Sequence, residues 1–69
     1  MIGKVLQVFI PGDNILESNK IGFKVLLNDK IIEIIQDQNV ENIDILKDDN
    51  VFIIKNDDSS YDISLYYEV

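Results

Sequence analysis

The chain has no cysteine, no histidine and no tryptophan, and its six basic residues are all lysines. Each absence removes a kind of chemistry. Without cysteine, neither a disulfide nor a thiolate metal site can staple a small fold. Without histidine and cysteine, the Ser-His and Cys-His nucleophile systems are gone, and imidazole ligands with them. Without arginine, the planar fork that grips phosphate is missing. Thirteen acidic residues against six lysines leave a net charge of −7, which repels a nucleic-acid backbone and an anionic membrane surface alike. The composition thus predicts no enzyme, no cofactor and no bound metal. It favours a protein partner or self-association over nucleic acid, with no small-molecule substrate evident.

Long apolar runs are also absent. No stretch approaches the roughly 20 residues of a membrane-spanning helix. Met1 to Ile10 lacks the charged start and small-residue cleavage site of a secretory signal. The expectation is a soluble, cytoplasmic domain with no membrane insertion. Its wealth of Ile, Asn, Lys and Asp is what an AT-rich bacterial or phage genome encodes.

What is present is a chain of strands. Sixty-nine residues make one domain, 1–69, and a chain this short buries only about 60% of its unfolded surface, so its core must be dense. The organising stretch is Ile21 to Gln36, read as a hairpin turning at Asn28-Asp29. Both arms are rich in β-branched and aromatic residues, and Asn and Asp tolerate the positive φ that a two-residue loop usually needs at both central positions. With that loop, Lys24 opposes Glu33, and Ile21, Phe23, Val25, Leu27, Ile32 and Ile34 share the core face. The other face carries Lys24 and Glu33, but also Leu26, Ile31 and Ile35.

Residues 2–10 form another strand, apolar on both faces and therefore central or bent, with Gly3 as a place for a bulge. Pro11-Gly12 ends it in a type II turn, and Asp13 to Asn19 reads as a loop anchored by Ile15 and Leu16. Val40, Ile43 and Leu46 repeat at helical spacing behind a candidate N-cap, Asn39, which predicts one or two helical turns. Val51 to Lys55 is a nearly continuous apolar strand, central or covered on both faces. Tyr61 to Val69 alternates, with Tyr61, Ile63, Leu65, Tyr67 and Val69 inward and Asp62, Ser64, Tyr66 and Glu68 outward. The predicted fold is mainly β: a small, partly open five-stranded OB-like barrel, alternatively SH3-like, with one short helical turn.

Chemistry-bearing groups are sparse. The pairs Asp48-Asp49 and Asp57-Asp58 sit in turns, without the shaped cleft a glycosidase pair needs. Asn56 to Ser60 offers oxygens but not the spacing of a calcium loop. The candidate partner-binding residues are Leu26, Ile31 and Ile35 on the half-apolar hairpin face, and Tyr66 on the last strand. They point to a non-catalytic protein-interaction or accessory module. Two alternatives remain: an acidic mimic of nucleic acid that inhibits a basic site, and an OB-type binder of single-stranded nucleic acid.

The run Gly22-Phe23-Lys24-Val25 through Asn28-Asp29, then Ile45-Leu46-Lys47-Asp48-Asp49-Asn50-Val51-Phe52-Ile53-Ile54, resembles the strand-turn-strand grammar of the soluble OB domain of the NfeD family. Pro11-Gly12 matches a break after its first strand. Asp48 stands where that grammar has glycine, and the family's membrane-spanning part has no counterpart. The resemblance implies a protein-interaction module without catalysis.

Overall fold

The computed structural model describes residues 1–12 and 19–66. Ile15, Leu16, Tyr67, Glu68 and Val69, which carried expectations above, lie outside the described residues. Five strands form: β1 (Ile2–Phe9), β2 (Lys20–Leu27), β3 (Lys30–Asp37), β4 (Asn50–Lys55) and β5 (Tyr61–Leu65). They make one sheet in the order β3-β2-β1-β4-β5, with every neighbouring pair antiparallel. The first four strands thus lie 4-1-2-3 across the sheet, the Greek-key order.

The hairpin folds in the expected register. Its ladder runs through eight pairs from Lys20↔Asp37 to Leu27↔Lys30, with Lys24 opposite Glu33. One detail differs. Asn28 takes a φ of 56° but Asp29 stays at negative φ, the sign pattern of a type II′ rather than a type I′ turn. A single left-handed residue suffices to reverse the chain here.

β1 explains its own two-sided apolar pattern. Its register with β2 slips between Val5 and Gln7, so the bulge sits at Leu6 and not at Gly3. An extra residue reverses the inward parity. Before it, Gly3 and Val5 face inward; after it, Val8 and Ile10 pack on the core. Gly3 has another task. A Cβ there would lie 2.5 Å from Val25 Cγ1 and 3.1 Å from the Leu26 carbonyl oxygen, so its bare backbone lets β1 press onto β2.

The two edge strands, β3 and β5, share no ladder among the described residues. The sheet is therefore not a closed barrel, where the sequence predicts a partly open one. It curls far enough for the Gln36 side-chain amide of β3 to donate to the Tyr61 carbonyl of β5 at 2.9 Å. Inside the curl lies one cluster, with Val5, Phe23, Val25, Val51 and Ile53 at its centre and Ile21, Ile34, Ile45 and Ile63 around them.

Residues 38–49 carry the chain from the β3 edge back to β4, beside β1. Asn39 caps this passage: its side-chain oxygen accepts from the Glu41 and Asn42 amides at 2.8 and 2.9 Å, and its carbonyl accepts from Ile43 at 3.2 Å. Consecutive turns follow, with no regular helix among the described residues. The helical spacing of Val40, Ile43 and Leu46 does not mark the buried side, since all three are exposed. Instead Asn42 and Ile45 turn inward. The Ile45 amide bonds back to the Asn42 carbonyl at 3.2 Å, and this tighter step drops Ile45 into the core.

The passage ends at Asp48, whose φ is 74°. Its amide donates to the Val5 carbonyl at 2.7 Å, and the Asp49 carbonyl accepts from the Val5 amide at 2.9 Å, tying the start of β4 to the bulge of β1. A left-handed backbone costs a non-glycine residue roughly 1–2 kcal/mol, less for aspartate. Asp48→Gly is therefore expected to raise stability by about 0.5 kcal/mol, after its greater unfolded-state entropy is counted. Urea melts check this, and a lowered midpoint would show that the Asp48 side chain makes a contribution larger than the strain.

Candidate interaction surface

Leu26, Ile31 and Ile35 face away from the core, on the outer side of the β2–β3 ladder. Leu26 and Ile31 are directly opposed across the ladder and are 38% and 65% exposed. Ile35, 50% exposed, faces Gly22. The Lys24–Glu33 pair lies between Ile35 and the Leu26–Ile31 row. Phe9 partly fills the space over Gly22: a Cβ on that glycine would run into the Phe9 ring. The outer face of the hairpin thus carries two apolar rows with one charged row between them. Beyond them, Lys20 and Asp37 form an ion pair.

Tyr66 does not join this patch. Its amide bonds to the Asn50 carbonyl at 3.1 Å, placing it in a row that runs Tyr66, Asn50, Lys4, Leu26, Ile31 across the outer face. Four strand spacings of about 4.8 Å separate its two ends, roughly 19 Å in all. Sequence spacing could not show this, because the order of strands across a sheet is not written along the chain.

A second outer patch escaped the sequence reading. Ile2 opposes Phe52, and Ile2, Phe52 and Ile54 are all exposed. The nearly continuous apolar run of β4 predicts a strand that is central or covered on both faces. β4 is indeed interior to the sheet, but no described element crosses its outer side. The long passage 38–49 sends Ile45 into the inner side instead. The one sequence clue was Asn50 and Lys55 flanking a strand whose partner, Tyr61 to Leu65, alternates with Asp62 and Ser64 outward.

The carboxylate pairs build turns. Asp49 Oδ2 accepts the Leu46 amide at 2.8 Å. Asp58 Oδ1 accepts the Ser60 hydroxyl at 2.6 Å and the Ser60 amide at 3.1 Å, in a turn where Ser59 takes a φ of 70°. Among the described residues, no group of three or more acidic side chains is placed to hold a metal ion. Those two bonds from Ser60, the hydroxyl's first, hold the Asp58 carboxyl below its ordinary value. A carbon-detected NMR titration is expected to give Asp58 a midpoint below the ordinary aspartate value. Ser60→Ala should move the Asp58 midpoint upward, and an unmoved midpoint would remove the hydroxyl as its cause. The sign follows from linkage: a lowered folded-state value favours folding above the unfolded value, and that small contribution is lost as pH falls through the folded one.

Comparison of the chain with protein-family models, with curated proteins and with solved structures returned no match. Function must therefore be argued from the surface alone. Among the described residues, no helix is long and apolar enough to cross a membrane.

Proposed function

We propose that this domain is a non-catalytic protein-interaction module that docks a partner on the outer face of the β2–β3 hairpin. The observation that carries it is the Leu26–Ile31 pair, held side by side by the ladder and left open to solvent. Single exposed apolar residues are ordinary, but a paired row beside a second apolar row makes a patch of the kind that partners cover. Lys24 and Glu33 cross its middle and would fix the partner's register more than its affinity.

We read the sheet as an open version of the OB plan. The Greek-key order, the bent β1 shared by both hairpins and the passage between β3 and β4 support that plan over the SH3-like one. The plan says nothing of function by itself.

A photo-reactive residue at position 31 tests the docking face. In cells it should yield a discrete protein adduct, which Leu26→Lys reduces about tenfold or more, as loss of a central contact does. The urea midpoint of Leu26→Lys should stay close to the parent's, since the side chain is outside the core. An adduct undiminished by Leu26→Lys would sink the reading. A second reading, the acidic mimic, draws on the exposed carboxylates Glu41, Asp44, Asp57 and Asp62. It expects an adduct to a nucleic-acid-binding protein whose capture fades steeply with salt.

A further inference from the structure

The seam beside β5 is built differently from the hairpin face. The Ser60 carbonyl accepts from Asn56 at 2.8 Å, and the Tyr66 amide donates to Asn50 at 3.1 Å. In an antiparallel ladder this alternation aims the main-chain groups of 60, 62, 64 and 66 at β4, and those of Tyr61, Ile63 and Leu65 away from it. The Tyr61 carbonyl is taken by Gln36. Ile63 and Leu65 present their amides and carbonyls to the seam, where no other described strand pairs with them.

Natural edge strands are usually defended by lysine, proline or a bulge. β5 has no lysine and no proline, and its ladder with β4 runs without a slip. Two adjoining hollows of about 380 and 370 Å³ lie along it, sharing Glu41 and Ser64 in their walls. Each falls in the size range of ligand pockets, roughly 300–1,000 Å³. Phe52 and Ile54 give the seam an apolar wall, while Glu41, Asp44 and Asp62 give it carboxylates; no lysine lines either hollow.

We propose that this seam takes an extended, lysine- or arginine-bearing segment of another protein, which adds a strand to the β5 edge. Main-chain pairing at Ile63 and Leu65 supplies the backbone contacts of strand addition, and the alternate side chains supply selectivity. Inward side chains of the added strand would lie next to Ile63 and Leu65 and must be apolar. Outward ones would meet Asp62 and Glu41 and must be cationic. A second copy of this chain is a poor occupant, since it brings a further −7 to an acidic seam. The inference rests on the interaction-module reading only in taking a polypeptide partner, and it uses a different surface from Leu26–Ile31.

The test is an amide-resolved NMR titration with a short synthetic peptide that alternates lysine and valine. Saturable shifts should centre on Ile63 and Leu65, and hydrogen exchange at those two amides should slow. Added salt should weaken binding. The double variant Glu41→Lys, Asp62→Lys, its fold read from the same spectra, should weaken it roughly tenfold. Leu26→Lys should bind as the parent does, so failure of the hairpin face and failure of the seam give different results. Equal binding of a glutamate–valine peptide would overturn the proposal. So would shifts centred on Leu26 and Ile31, absence of any shift, or protection of Ile63 and Leu65 that grows with protein concentration alone.

Discussion

Phe23→Ala is expected to leave most molecules unfolded at room temperature. Phe23 is the largest wholly buried side chain among the described residues. It sits in the middle of β2, between Val8 of β1 and Ile34 of β3. Truncating a buried phenylalanine costs about 3–5 kcal/mol, part transfer and part cavity. A core in a chain of this size supplies only about 3–5 kcal/mol in total. No disulfide is available to absorb the loss, and the described residues form a single core cluster. Far-ultraviolet circular dichroism and urea titration would show it as a missing cooperative transition. A transition within about 1 kcal/mol of the parent's would mean that the surrounding strands collapse onto the cavity, which their ladders should prevent. Phe23→Leu separates volume from aromaticity, and should retain a cooperative melt at a lower midpoint.

The second large effect is expected at Asn42, the one buried polar side chain of the described core. Its side-chain oxygen accepts the Asn39 amide at 2.9 Å. Its side-chain nitrogen donates to the Asp37 carbonyl at 2.8 Å and to Gln36 Oε1 at 3.2 Å. Gln36 then donates to Tyr61 of β5. This chain of bonds joins the turn, the end of β3 and the start of β5, across the gap that no ladder spans. Asn42→Leu keeps the volume but orphans the Asp37 carbonyl and the Asn39 amide. Each unsatisfied buried group costs about 1–3 kcal/mol, so a loss of about 2–4 kcal/mol is expected in urea melts. A double-mutant cycle between Asn42 and Gln36 should give a coupling of at least about 0.5 kcal/mol, as contacting residues in one network do. A loss below 0.5 kcal/mol for Asn42→Leu would show that water reaches those groups and that the network does not hold the seam.

These two positions were unequally legible. Phe23 was assigned to the core from alternation alone, because a strand that buries one face writes that burial into every second residue. Asn42 carried no such mark. Its neighbours Val40, Ile43 and Leu46 had the pattern of a buried stripe, and all three are exposed. Periodicity reports burial only when a regular element repeats it. One capped turn followed by a tighter step has no period to read.

The candidate surface divides the same way. Leu26 and Ile31 were paired from the turn position, since a hairpin's register follows from its loop. Tyr66 was read as a separate candidate on the outward face of the last strand, and only the strand order shows how far across the sheet it lies from them. Ile2 and Ile54 went unremarked because an apolar run in a strand does not say which of its faces is covered.

By itself, then, the sequence determined the strands, the hairpin register, the inward faces of β2, β3 and β5 and the acid left outside. These depend on neighbours along the chain and on a period of two. The tertiary structure decided the order of strands across the sheet, the bulge at Leu6, the inward turn of Asn42 and Ile45, and the open seam at β5. Those depend on contacts between residues far apart in the chain, whose geometry is settled only when the whole sheet curls around one core.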